Sequence, residues 1–329
     1  MKALVTGGGG FLGRHIVKQL LARGDEVTVF SRGAYPNLEA MGATVIRGDL
    51  QDRESVNRAC VGMDAVFHVA AKVDAWGPWE PFYQTNVVGT QNVIDACRKQ
   101  GVHKLIFTST PSVIANGKSR SGVDESIPYP THFEAHYPHT KAIAEQMVTD
   151  ANGPDLLTVS LRPHIIFGPD DTQLFPRVLA RARAGRMIQI GGGHNKVDLT
   201  YIDDAARAHL LAADALAEGS PVVGSIYFIS QDDPANLWSW VNNLLTQLDI
   251  PPIKRRISLP VALALAHIIE FVFRTFRLKG EPQLVPYVVN EMALDHYFDI
   301  SRAKQDFGYE PQVSMEEAMR RTVEYFRNQ

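Results

Sequence analysis

The sequence predicts an α/β fold: a parallel sheet wound on both faces by helices, followed by a smaller C-terminal lobe. Three observations carry that prediction. An apolar start runs through the glycine-rich stretch TGGGGFLG (residues 6–13) into an amphipathic segment. Short apolar runs then alternate with helix-like segments through the first half, as in doubly wound sheets. Beyond about Phe167 the alternation fades into proline-punctuated helices and short strands. With 329 residues, 45% of them hydrophobic, the chain can bury a sizeable core.

Each element has its own reason. Residues 2–5 (KALV) read as a short buried strand, and Phe11, Leu12, Ile16, Val17, Leu20 and Leu21 recur at helical spacing. Strands follow at 26–31 (EVTVFS), 43–48 (ATVIRG), 65–70 (AVFHVA), 104–109 (KLIFTS) and 157–163 (LTVSLRP). Helices are expected across 52–60, 80–100 and 140–150. This is a Rossmann-type arrangement. Residues 1–166 are expected to form the dinucleotide-binding domain, and 167–329, with short strands such as 225–230 (SIYFIS), mainly a substrate lobe that also lends some elements to the first domain. There is no internal repeat and no low-complexity linker.

The glycines suggest what the first turn holds. Gly7, Gly10 and Gly13 lie at three-residue intervals between strand and helix, where backbone amides and the positive helix end suit a pyrophosphate. Phe11 and Leu12, in the same turn, belong with them against the cofactor. A site for an unphosphorylated ribose carries an acidic residue about 20 positions on. Here the place reads Phe30, Ser31, Arg32, and Arg32 suits a 2′-phosphate, so NADP(H) is expected over NAD(H). The alternative is a solvated arginine opening the loop before Gly33. Asp49 and Leu50, after the third strand, are placed to meet the adenine edge and face, although Asp49 also fits a turn.

A proton donor is expected in YPHTK. Tyr137 and Lys141, four residues apart, share one helix face, and a fixed ammonium lowers a phenol pKa that is ordinarily about 10. Lys141 also has donors for the nicotinamide ribose. Its competing partner is Glu145, again four residues on. In FTSTPSV a hydroxyl at the carboxyl edge of the sheet suits a developing oxyanion, and Thr110 and Ser109 both qualify.

Composition narrows the function further. A net charge of −3 with no dense basic cluster disfavours nucleic acid. Cys60 and Cys97 lie far apart in helix-like contexts, which supports neither a disulfide framework nor a cysteine metal site and fits a cytoplasmic protein. The start enters a strand at once, leaving no room for a signal peptide, and no apolar run reaches the roughly 18 residues of a membrane span. His132, His136 and His139 cluster around the tyrosine without a metal-type carboxylate arrangement, so no metal is expected. Gly191 to Gly193 read as a loop or hairpin, and Trp76 and Trp79 as packing residues. Residues 259–278, LPVALALAHIIEFVFRTFRL, read as a helix with one charged stripe and a broad apolar surface. Its readings are core element, wall of an acyl channel, or membrane-surface anchor.

Taken together, TGGGGFLG, Thr110 in TSTPSV, YPHTK and LRPHIIFGP resemble the extended short-chain dehydrogenase/reductases, over nearly the whole chain. Within them the chain is most similar to the 3-beta-hydroxysteroid dehydrogenase branch. SRGAYPNLEAMG, AAKVDAWG, NKVDLTYIDDAARAHLLA and RLKGEPQL narrow the resemblance to the bacterial 2-alkyl-3-oxoalkanoate reductases of long-chain olefin biosynthesis. The resemblance implies Tyr137 as proton donor with Lys141 as its partner, Ala70 and Ala71 along the cofactor groove, and Arg162 with Pro163 beside the nicotinamide. Thr110 stands where the family usually has serine, with Ser109 as the fallback. The implied reaction is NADPH-dependent reduction of a long-chain 2-alkyl-3-oxo acid, and Lys72 is the candidate cation for the substrate carboxylate. A homodimer and an assembly with other olefin-pathway enzymes are also implied. The alternatives are a steroid or sterol dehydrogenase and a non-catalytic dinucleotide sensor. A nucleotide-sugar dehydratase is weakened by Pro111 and Ser112, where those enzymes carry an Asp-Glu pair.

Overall fold

The computed structural model describes residues 1–172 and 174–329. Its centre is a seven-stranded parallel sheet: β1 (Lys2–Thr6), β2 (Glu26–Ser31), β3 (Thr44–Arg47), β4 (Ala65–His68), β5 (Lys104–Thr108), β6 (Leu157–Pro163) and β7 (Ile226–Ile229). The spatial order is β7-β6-β5-β4-β1-β2-β3, every pair parallel. Alternate residues feed opposite cores because side chains on a strand alternate faces. Ala3, Val5, Val27, Val29 and Phe67 pack on one face, and Leu4, Phe30, Val66, Leu105 and Phe107 on the other. The first face is covered by α1 (Phe11–Ala22) and α5 (Ile202–Ala215), the second by α2 (Arg53–Ala59), α3 (Gly89–Gln100) and α4 (His136–Asp150).

Two expectations need correction. The helix expected across 80–100 is broken: Trp79–Phe82 leads into a π-helical turn, Tyr83–Val88, before α3 begins. Such turns absorb one extra residue and re-aim side chains. The cysteines, distant in sequence, are neighbours in space, because α2 and α3 pack together. Cys60 and Cys97 are free and buried, and the Cys60 thiol lies close enough to bear on the ionisation of Cys97.

The second lobe is not simply the second half of the chain. Its four-stranded sheet joins Ala235–Asn236, Lys196–Val197, His296–Phe298 and Arg120–Val123, the last from the first half. β7 makes the reverse journey into the central sheet. Helices Leu237–Gln247, α6 (Leu259–Thr275) and α7 (Pro286–Ala293) complete the lobe around a small core of Ile190, Trp238, Ala262, Ala266 and Val289. Gly191 and Gly193 take positive φ in the loop after the short strand Gln189–Ile190.

Candidate active site

The strand order reverses beside β1, between β1 and β4, the place where open α/β sheets form a crevice. A cleft of about 600 Å³ opens there, and the glycine turn forms one wall. Gly7 has φ +70°, and a Cβ on it would sit 2.8 Å from the Ala70 Cα. A Cβ on Gly13 would sit 2.3 Å from the Gly7 carbonyl oxygen. The other two glycines of the run answer to packing: Gly8 lies against Val29, and Gly9 lies directly under the Tyr35 ring. Gly10 donates to the Gly7 carbonyl at 2.9 Å and precedes α1, whose first turn has no acidic residue and no side-chain cap. The helix end is therefore available to an anion.

At the far end of the cleft, Arg32 is exposed and makes no ion pair among the described residues. The Ser31 hydroxyl beside it is buried with no hydrogen-bond partner. Asp49 and Leu50 line the same end, with the Asp49 carboxylate accepting from Gln51 N at 3.0 Å. The turn role of Asp49 and its place in the cleft coexist. Ala70 and Ala71 form the floor. Sequence reasoning missed what fixes that floor. The Thr6 hydroxyl accepts from the amides of Val69 at 3.2 Å and Ala70 at 3.3 Å, and lies 2.8 Å from His68 Nδ1. Burial, then the nearby Lys141 charge, pushes His68 down to about 3, so it serves as a neutral bridge to Thr90. The signal was a histidine inside an apolar strand.

The third wall brings together Thr108, Ser109, Thr110, Tyr137, Lys141 and Pro163. Helix α4 starts at His136, earlier than its apolar pattern suggests, with Pro138 in its first turn, so Tyr137 and Lys141 lie one turn apart. The Thr110 hydroxyl neighbours Tyr137 on the cleft wall and caps the turn Pro111–Ile114 by accepting from Ser112 N at 3.2 Å. The Ser109 hydroxyl is buried without a partner. Two orphaned hydroxyls on the cleft wall and a glycine cradle with no room for a Cβ fit an elongated polar ligand such as a dinucleotide.

The electrostatics differ from the expected pattern. Burial pushes Tyr137 up to about 12, opposed by the neighbouring Thr110 hydroxyl. Lys141 does not lower it. Its ammonium donates to the Thr108 carbonyl at 2.6 Å and lies 3.9 Å from the Phe107 ring centre, and burial pushes it down to about 7 against the pull of Glu145. Glu145 itself is engaged elsewhere. Its carboxylate takes the deeply buried Arg162 at 2.9 and 2.5 Å and the half-buried Tyr129 hydroxyl at 2.6 Å. Arg162 thus points away from the cleft, and of the LRP run only Pro163 lines it.

Lys72 is likewise outside the lining: its ammonium is bonded to Asp74 and packs over the Phe82 ring at 5.0 Å. Its backbone is pinned by Asn86, the residue that the π-turn turns inward. Asn86 accepts from Lys72 N at 2.8 Å and donates to the Thr140 hydroxyl at 2.9 Å, tying the 70s loop to the helix that carries Tyr137. Trp79 stacks on Tyr83 and meets His136 and His139 edge-on or tilted, a packing role. Among the described residues the one metal-type cluster is His164, Glu291 and His296. There the two imidazoles bond each other at 2.5 Å, and Glu291 holds Arg120 at 2.6 Å.

Known proteins can now be set beside this geometry. Over 324 residues the chain is 48% identical to 2-alkyl-3-oxoalkanoate reductase of Stenotrophomonas maltophilia, covering 98% of each. It is 45% identical to the protein of that name from Shewanella oneidensis, covering 97% of this chain and 84% of the relative. A mouse (Mus musculus) sterol-4-alpha-carboxylate 3-dehydrogenase, decarboxylating, is 36% identical over 99% of this chain and 91% of its own length. The crystal structure of gox2253 superposes with a TM-score of 0.79 at 24% identity, over 99% of this chain and 98% of that one, a likeness of fold. Residues 4–261 match the family model that spans the glycine turn, the Thr110–Tyr137–Lys141 wall and the strand returning from the second lobe, and the chain therefore belongs to the 3-beta hydroxysteroid dehydrogenase/isomerase family.

Proposed function

We propose that this protein reduces the 3-oxo group of 2-alkyl-3-oxoalkanoic acids to the 3-hydroxy acids with NADPH. The observation that carries the reading is a phenol, Tyr137, that lines one cleft with Thr110, Lys141 and the glycine cradle, in a chain whose relatives at 45% and 48% identity bear that reductase name. The bound dinucleotide supplies the hydride. Gly7, Gly10 and Gly13, with Phe11 and Leu12, hold its pyrophosphate. Arg32, aided by Ser31, takes the 2′-phosphate, Asp49 and Leu50 meet the adenine, and Ala70, Ala71 and Pro163 border the rest. Arg162 serves the nicotinamide end through Pro163, which its pair with Glu145 anchors.

Tyr137 stays protonated through the neutral range and gives its phenolic proton to the substrate oxygen. Thr110 orients that oxygen, with Ser109 as a second donor. The Tyr137 phenolate left by that transfer regains its proton from the Lys141 ammonium, which takes one from solvent in turn as its pKa of about 7 allows, and Lys141 also holds the ribose. Lys72, once released from Asp74, meets the substrate carboxylate. The division into residues 1–166 and 167–329 follows the same logic, cofactor on the first and alkyl chains on the second. A homodimer, a cytoplasmic location and an assembly with enzymes that supply the 3-oxo acid and consume the hydroxy acid complete the proposal, and co-elution on size-exclusion chromatography tests the assembly.

The sterol reading rests on the 36% identical relative and is separated by one assay. NADPH oxidation is followed with a series of 2-alkyl-3-oxo acids of decreasing chain length and with a 3-ketosteroid. Each methylene removed lowers kcat/KM about fourfold, the equivalent of about 0.8 kcal/mol, until the channel ends. A flat series with a good rate on the ketosteroid overturns the acid reading.

A further inference from the structure

Helix α6 has two unlike faces. Ala262 and Ala266 are fully buried against the small core of the second lobe. The opposite face carries Val261, Leu265, Ile268 and Phe271, at 51, 44, 59 and 66% exposure, and just past its end Phe276 and Leu278 are 69 and 47% exposed. Steps of three and four residues make the first four one stripe. So much contiguous apolar surface marks an interaction site. The charge around it is mainly basic, and its acidic members are paired. Lys254, Arg255 and Arg256 precede the helix and Arg274, Arg277 and Lys279 close it, all exposed. The acidic residues nearby are engaged, Glu270 with Arg274 at 2.7 Å and Glu281 with Arg177 at 3.6 Å.

We infer that this face docks on an anionic lipid bilayer, with the helix in the interfacial plane, its apolar stripe among the acyl chains and its basic ends on the headgroups. A second copy of the chain fits worse. Both ends of the stripe are basic, so either parallel or antiparallel pairing sets cations against cations, whereas an anionic surface meets both ends. Among the described residues no helix is long and apolar enough to cross a membrane, which leaves the in-plane arrangement.

The helix that carries the docking face packs its other side near the candidate site. The Arg274 guanidinium lies 5.2 Å from the Trp76 ring and Phe273 meets the same ring edge-on at 6.3 Å. Trp76, Arg274, His136 and Tyr287 line one crevice. His136 is the neighbour of Tyr137, and the Tyr287 hydroxyl donates at 2.9 Å to Ser112, which is in turn bonded to Thr110. The crevice itself holds only about 10 Å³, so delivery of a two-chain acid from the bilayer on this side requires it to open when the face docks. This delivery rests on the reduction proposed above; the bilayer contact does not.

The test is co-sedimentation of the full chain with vesicles of phosphatidylcholine mixed with phosphatidylglycerol, and with vesicles of phosphatidylcholine alone. Binding is expected to the mixed vesicles and to weaken with salt. Ile268→Ser together with Phe271→Ser lowers partitioning at least about tenfold, and Arg277→Gln and Lys279→Gln lower it about fivefold each. Turnover of a short-chain, water-soluble 3-oxo acid is unchanged in these variants, while turnover of a vesicle-borne long-chain acid falls with binding. Absent vesicle binding, or equal binding by the double serine variant, overturns the inference. So does a concentration-dependent dimer in analytical ultracentrifugation that this variant abolishes, since a second copy then covers the face. Vesicle binding without turnover of either acid retains the bilayer contact and overturns the proposed reduction instead.

Discussion

Replacing Lys141 with methionine should stabilise the fold while abolishing turnover, and the gain should depend on pH in a defined way. Lys141 is buried and pushed from 10.5 down to about 7 by desolvation. Below that value the folded protein holds an ammonium that would be better solvated in the unfolded chain. At about 1.4 kcal/mol per pH unit, a shift of this size sets an upper bound of about 5 kcal/mol on that cost. Losing the bond to the Thr108 carbonyl offsets about 1 to 2 kcal/mol of any gain on removal, which leaves about 3 kcal/mol at pH 6. Between pH 7 and 10.5 the unfolded chain binds the proton and the folded one does not, so wild-type stability rises with pH by about 1.4 kcal/mol per unit, and the variant lacks that slope. Urea denaturation of both proteins at pH 6, 7, 8 and 9 reads the difference directly. Parallel pH profiles, or a variant less stable at pH 6, would refute the claim that burial sets the state of this lysine.

Changing Tyr137 to Phe should leave NADPH binding, measured by fluorescence titration, nearly intact and cut turnover by about two to four decades, and retention of a tenth of the wild-type rate would end its assignment as acid. Arg32→Ala should weaken NADPH far more than NADH in the same titration, by on the order of tenfold or more, whereas equal losses would make Arg32 a loop residue. Glu145→Gln leaves the fully buried Arg162 without its carboxylate and should cost about 3 to 5 kcal/mol by urea denaturation. A cost under about 1 kcal/mol would mean that the pair does not anchor the strand beside Pro163.

What was legible in the sequence was what short-range physics specifies. The glycine intervals, the apolar strands and the one-turn spacing of Tyr137 and Lys141 are local properties, and strand β6 has the bounds its composition suggested. The reason for four glycines was only half visible. Gly7 and Gly13 answer to the turn itself, but Gly9 is required by Tyr35, whose approach depends on where the loop after β2 folds. Likewise Glu145 is correctly spaced for Lys141 yet belongs to Arg162, because a guanidinium fully buried on the adjoining strand has the greater need for a carboxylate than an amine that burial can neutralise.

The lobes were the least legible feature, for a topological reason that bears on how the site works. A sheet edge accepts any strand of suitable pattern, so composition alone does not say that Arg120–Val123 leaves the first half and pairs with His296–Phe298, or that β7 crosses the other way. The exchange has an electrostatic consequence. Arg120 bonds Glu291 at 2.6 Å and the Pro111 carbonyl at 3.4 Å, so the turn beginning just after Thr110 is held by a residue whose own partner sits on α7 of the second lobe. His164, next to Pro163, reaches the same helix through His296, which lies 2.6 Å from the Glu291 carbonyl. Burial holds both imidazoles below their ordinary range, so this contact stays neutral and does not add a second charge beside Arg120. Two of the elements that bound the reacting end of the cleft, the Thr110 turn and Pro163, are therefore each tied to α7.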